Sequence, residues 1–282
     1  MPPCFDHEKL LVYRDAIKFV VWATSLLEDI PKNFSVWDQL DRASASIPLN
    51  IAEGNGKVTV PARCSFFDTA RGSALESSAC LDVLMAKELT SETDSQAGKE
   101  ILRGVVSMLV GLIRSSSPER LYEDQVEYRA EGEQSPGKDL LNGSKTARIF
   151  FDHERLEVYQ ESIRFIACTA KTLEQFPRKL SLWGKLDRAS TSIPLNIAEG
   201  NGKFTGADRC RFFDNARSAA LGCAACLDAL AATKNLAEAD ANSSKAVLRG
   251  IVSMLVGLIR SNSADRAHEE MVEYRVAGRG GD

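Results

Sequence analysis

The chain of 282 residues is 44% hydrophobic and 26% charged, with a formal net charge of −4, which reads as a soluble globular protein of one large or two ordinary domains. It contains no apolar run of about 18 residues, and its start, "MPPCFDHEK", has neither a basic n-region nor an apolar h-region. The expectation is therefore a cytoplasmic chain with no membrane partner. Seven cysteines, mostly inside helical patterns, match no disulfide framework, so reduced thiols are expected. Cys223 and Cys226 form a CxxC, but Ser77 occupies the matching position of an earlier repeat, which favours small buried helix residues over a redox or zinc role.

The repeat has an ungapped offset of 146 residues: Tyr13 matches Tyr159, Trp37 matches Trp183, Glu53 matches Glu199, Arg71 matches Arg217 and Arg103 matches Arg249. Residues 1–130 form copy 1, residues 131–146 a flexible linker and residues 147–282 copy 2. The linker region, "AEGEQSPGKDLLNGSKTA", is rich in Gly, Ser, Lys and Glu, and a coil of that length reaches about 25 Å. That reach is enough to place the two copies side by side and too little to make them independent.

In chain order, the first helix is expected to open near Asp6 and to align Leu10, Tyr13, Ile17, Val20, Thr24 and Leu27 on one face before Pro31 closes it. The second begins near Ser35 and turns Leu40, Ala43, Ile47 and Ile51 inward. It ends in Gly54-Asn55-Gly56, read as a turn supplying left-handed conformations. Thr59 is the expected N-cap of the third helix, and Thr205 with Asp208 has the spacing of a capping box in copy 2. Phe66, Phe67, Ala70, Ala74, Leu81 and Leu84 should face inward. The fourth helix, "EILRGVVSMLVGLIRS", is apolar almost all round, and "EYR" at Glu127 to Arg129 belongs to a short tail. The fold class is all-α, two tandem up-down-up-down four-helix bundles.

Two apolar rows on the fourth helix, Ile101, Val105, Met108, Leu112 and Leu102, Val106, Leu109, Ile113, exceed the one face a bundle needs. Gly104 and Gly111 lie between them, with Gly250 and Gly257 in copy 2, and would let a neighbouring helix approach closely. Either that helix is buried centrally or its second face packs on another bundle.

The stretch "ASASIPLNIAEGNGK" (Ala43 to Lys57) returns as "ASTSIPLNIAEGNGK" (Ala189 to Lys203). Arg42, Ser46, Asn50 and Glu53 fall within about 80° of one another on a helix, beside the apolar row. Pro48 lacks an N–H and should kink the helix. Asn50 and Glu53 either pair with a neighbouring helix, Arg71 being the obvious partner of Glu53, or shape a binding edge. Arg188, Asn196, Glu199 and Arg217 repeat the arrangement in copy 2.

"SIPLNIAEGNGK", followed by "FFDTARGSALE" or "FFDNARSAALG", resembles the four-helix bundle family of proteins encoded in intervening sequences of 23S ribosomal RNA. The accessory variability protein of diversity-generating retroelements is similar to the same family. The resemblance implies a small helical bundle that assembles into rings, often pentamers, with no known catalytic activity. In the retroelement branch it implies a basic scaffold for nucleic acid and a reverse transcriptase. The chain departs in being a tandem fusion and acidic overall.

No catalytic residue, metal site or cofactor is expected. His7, His153 and His268 lack the Glu-x-x-His spacing of a di-iron bundle, and His7 and His153 sit at helix starts, where a surface or capping role is expected. "EGNGK" lacks the Walker spacing and a preceding strand. Residues 1–130 carry 14 Lys+Arg against 19 Asp+Glu, whereas residues 147–282 carry 19 against 17. Only copy 2 can present a net basic face, with Lys203, Arg209 and Arg211 the candidate nucleic-acid contacts. Two readings result: an oligomeric scaffold or adaptor with an even number of bundles per assembly and a protein or protein–RNA partner, or an RNA- or DNA-binding accessory module acting through copy 2.

Overall fold

A computed structural model of the chain describes residues 5–116, 150–174 and 181–263. Copy 1 contains α1 (Leu11–Glu28), α2 (Ser35–Asn55), α3 (Val60–Ala86) and α4 (Glu92–Ser116), and copy 2 contains α5 (Glu157–Glu174), α6 (Ser181–Gly202), α7 (Gly206–Ala232) and α8 (Glu238–Asn262). A one-turn 3-10 helix precedes each set, at Asp6–Lys9 and Asp152–Arg155. Within each copy every helix packs on its chain neighbour and the first packs on the fourth, which closes an up-down-up-down bundle. The linker over 131–146 and the tail at Glu127 to Arg129 lie outside the described residues, as does His268.

The α2 stripe is as expected: Leu40, Ala43, Ile47 and Ile51 are all buried. The α1 face is not. Its buried row is Val12, Ala16, Phe19, Ala23 and Leu27, while Ile17 is exposed, because α1 is apolar on two sides and the larger Phe19 takes the core position. The helix also starts later than expected, since Asp6 to Lys9 form the separate 3-10 turn. Trp37 donates its indole N–H to the Leu27 carbonyl at 3.0 Å, and Trp183 repeats the bond to Leu173 at 3.1 Å, pinning the start of each second helix to the end of the first.

Helix α2 runs unbroken through Pro48. Beside the missing rung, the Asn50 side-chain amide donates to the Ser46 carbonyl at 2.8 Å and the Ser46 hydroxyl at 3.0 Å, and Asn196 does the same to Ser192. The glycines that follow serve close approach rather than left-handed turns: Gly56 has φ −79°, and a Cβ on Gly54 would lie 2.9 Å from the Phe67 ring. Gly200 meets Phe212 and Phe213 in the same way. The capping expectation holds in copy 2, where Thr205 Oγ1 accepts from the Asp208 N–H at 3.1 Å. Thr59 is the N-cap residue of α3 as expected, but with Ala62 where copy 2 has Asp208 its side chain forms no cap bond. Phe67, Ala70, Ala74, Leu81 and Leu84 are core, and Phe66 is half-buried under Lys57.

The glycine-bearing faces of the fourth helices do not join the copies, and α4 reaches copy 2 only through the Lys99 side chain among the described contacts. Leu102, Val105, Val106, Leu109 and Ile113 are buried, whereas Ile101, Met108 and Leu112 are half-buried at the bundle's edge. Around Gly104, Gly111, Gly250 and Gly257 a Cβ would meet nothing within 4 Å, so these glycines receive no neighbouring helix. By length and composition alone α8 would suffice to cross a bilayer. It packs on α5 and α7 as the fourth member of its bundle.

Candidate functional site: the face between the two bundles

The copies meet through α3, which packs against α6 and α5, with a smaller contact between α2 and α6. Among the described residues, α7 makes no comparable contact with α1 or α2. The seam is therefore heterologous: copy 1 offers its third helix and copy 2 offers its first and second. Enclosure explains the composition of α3. Fifteen of its residues are buried, including Arg71, Ser73, Ser77 and Ser78, whereas α7 buries only Phe213, Ala216, Ala220, Cys223, Leu227 and Leu230.

Three polar nodes fix the seam. At one end Lys87 pairs with Asp187 and donates to the Thr191 hydroxyl at 3.2 Å, and the Ser35 N–H donates to Asp187 Oδ2 at 2.8 Å. Both Lys87 and Asp187 are buried. Burial pushes the Lys87 ammonium below its usual range, against the opposite pull of Asp187. In the middle, the Arg71 guanidinium lies 3.8 Å over the Phe204 ring, donates to the Gly202 carbonyl and bonds Asp68 at 2.8 Å. At the far end, Lys99 Nζ bridges Asp82 at 2.6 Å and Glu154 at 3.0 Å, while the Tyr159 hydroxyl donates to the other oxygen of Asp82 at 2.7 Å.

Asp82, His153 and Glu154 each place one metal-ligating atom within 4.8 Å of the others. The Lys99 ammonium already holds the cation position between the two carboxylates, so the cluster is an ion-pair network. His153 corrects the expectation of a surface or capping histidine. It is buried, stacked on Phe151 with centroids 5.7 Å apart and edge-on to Tyr159 at 4.8 Å. Burial, with Lys99 nearby, pushes its pKa down to about 3, so the ring is neutral.

Several residues singled out by the motif lie elsewhere than expected. Glu53 is exposed and is not the partner of Arg71, which faces copy 2 instead because α3's outer side is covered by α6. Glu199 does reach the seam, beside Gly72 and 3.3 Å from Lys203. Lys203 is only 8% exposed and lies 4.0 Å from Asp68, which corrects its assignment to an open basic face. Arg209 bends back to the Lys203 carbonyl at 2.7 Å. Arg211 remains exposed, 3.7 Å from Asp208. Arg42 pairs with Asp38 at 3.1 Å and, with Arg188, lines a polar cleft at the seam that also includes Asp187. Arg217 holds Asp214 at 2.7 Å on the outer side of copy 2. Cys223 is buried in α7, where burial pushes its thiol well above the usual range and makes it an inert packing residue, and Cys226 is half-buried.

The residues that reading the sequence missed are Lys87, Asp187, Asp82 and Lys99. For Lys87 a signal existed in the repeat itself, since it is matched by Thr233, as Phe204 is by Val58 and Glu76 by Gly222; Asp187, Asp82 and Lys99 recur as Asp41, Asp228 and Lys245 and give no such signal.

The fold is a tandem pair of four-helix bundles joined by a buried polar seam. The family model of the 23S rRNA-intervening sequence protein matches the chain twice, over residues 8–111 and 154–257, and the chain belongs to that family. No curated protein matches it.

Proposed function

We propose that the protein is a non-enzymatic helical-bundle scaffold that self-associates and presents bundle faces to a protein or protein–RNA partner. One observation carries this reading: Arg71 of copy 1 and Glu199 of copy 2 sit in a bundle-to-bundle seam, and the matching faces recur uncovered on the outer side of each copy, with Leu49 61% and Leu221 50% exposed. Nucleic acid as the partner has less support, since Lys203 is taken into the seam and Arg209 and Arg211 each have protein partners.

Light scattering of the purified full chain at low and high salt, with absorbance at 260 and 280 nm on the same peak, tests it. A discrete oligomer free of nucleic acid, insensitive to salt, is the expected result. A salt-labile peak with excess absorbance at 260 nm would replace the scaffold reading with nucleic-acid binding.

A further inference from the structure

At the end of the seam where Lys87 meets Asp187, the two copies enclose an open cleft of about 570 Å³. One wall is the turn before α2 and the start of that helix, with Lys32, Phe34, Gln39 and Arg42. The other is the first part of α6, with Gly184 and Arg188. Arg42 and Arg188 are the same residue of the repeat, and the heterologous contact brings both to one cleft. We propose that this cleft binds a small organic dianion, a phosphate monoester or a dicarboxylate, held between the two copies.

The charges on its walls do not balance. Arg42 is compensated on its own helix by Asp38, four residues earlier, at 3.1 Å. In copy 2 that earlier position is Gly184, so Arg188 lacks the carboxylate that its counterpart has. Lys32 lies 4.9 Å over the Trp37 ring, and among the described residues neither Lys32 nor Arg188 has a carboxylate partner. Asp187, the other acid of the cleft, is already engaged: one oxygen holds Lys87 and the other accepts the Ser35 N–H at 2.8 Å. Two positive charges are left over, and one dianion neutralises both.

The donors and the size suit an organic ion. Guanidinium groups on both walls offer paired N–H donors that match a carboxylate or a phosphate. The Gln39 carbonyl accepts from Arg42 at 2.8 Å, which leaves the Gln39 amide nitrogen as a further donor. Phe34, half-buried with its ring centroid 5.6 Å from that of Trp183, supplies an apolar side. A volume of about 570 Å³ lies within the range of small-ligand sites and leaves room beyond a single oxyanion. Gly184 keeps the second wall open, since a Cβ there would meet nothing within 4 Å.

Both walls are needed, and they belong to different copies, so a single bundle has no equivalent cleft. A ligand that binds only the docked pair stabilises the seam by mass action. The inference rests on the seam alone and holds whether or not chains self-associate.

Isothermal titration calorimetry of the full chain with ribose 5-phosphate and, separately, with succinate tests this, alongside inorganic phosphate and a short RNA without terminal phosphates. Saturable binding of one molecule per chain by at least one of the two organic dianions is expected, weakening as salt rises. Ribose 5-phosphate alone would assign the phosphate ester, and succinate alone the dicarboxylate. Arg188→Gln removes the uncompensated charge, and Gly184→Asp gives Arg188 the carboxylate that Asp38 gives Arg42; each should weaken binding about tenfold or more. Both positions are exposed, and aspartate near the start of a helix in place of an unconfined glycine should leave the ligand-free melting temperature unchanged or higher, so lost binding is not lost folding. Absence of saturable binding by both organic dianions overturns the proposal, as does binding undiminished in either variant. Inorganic phosphate bound as tightly as the organic dianion, or RNA bound when neither small dianion is, also overturns it.

Discussion

Helices α3 and α7 have closely matching sequences and opposite surroundings. Leu75 and Leu221 are the same residue at the same place in the repeat, the first 1% and the second 50% exposed. Along this face α3 carries Glu76 and Gly72 and ends at Lys87, where α7 has Gly222 and Ser218 and ends at Thr233. Covering a helix face in this chain has thus gone with charged side chains that only a specific opposite surface can satisfy. A covered face tolerates a lysine where an open one needs none.

Lys87→Met should have the largest effect. Asp187 would be left buried and without its cation, and urea denaturation should show a loss of about 3–5 kcal/mol. Thr233→Met, at the matching exposed position of copy 2, should change stability by less than about 0.5 kcal/mol.

A second test uses Glu76, which burial first and Glu199 second push up to about 7 from 4.5. In the window between those values the native state binds a proton that the unfolded state does not, so this residue adds stability as pH falls from about 7 to 4.5 and withdraws it as pH rises through 7. Glu76→Gln should stabilise the chain at pH 8 by up to about 3 kcal/mol and flatten this part of the pH profile. No counterpart exists in copy 2, where Gly222 stands.

Glycines on the covered and open sides should differ by less. A Cβ on Gly202 would lie 2.2 Å from Leu75 Cδ1 across the seam, whereas one on Gly56 would meet only its own helix at 3.6 Å. Gly202→Ala should cost about 1 kcal/mol in thermal unfolding and Gly56→Ala close to nothing, because overpacking requires an opposing surface.

The bundle itself was legible because each signal is local. Leu40, Ala43, Ile47 and Ile51 recur at helical spacing, and Thr205 and Asp208 stand three apart. The row expected on α1 was wrong because Ile17 and Phe19 both lie on apolar stripes, and only the size of the space between helices decides which enters. The seam was illegible for a different reason. When a chain contains a face twice, the sequence carries the same letters for the covered and the open version, as Leu75 and Leu221 or Phe151 and Phe5 demonstrate. Only the departures from the repeat break that degeneracy. The same limit explains the assignment of Lys203 to an open basic surface, since its charge is visible in the sequence and Asp68 opposite it is not.

The heterologous seam also has a consequence for inheritance. In an assembly of identical bundles, any change to one junction is copied into every junction, so none can be strengthened alone. Here the two sides of the seam are encoded by different stretches of the gene from the matching faces that stay open. Mutation and selection can therefore act on Lys87 and Asp187 without touching Thr233 and Asp41, and the two copies are free to diverge while the bundle fold beneath them stays the same.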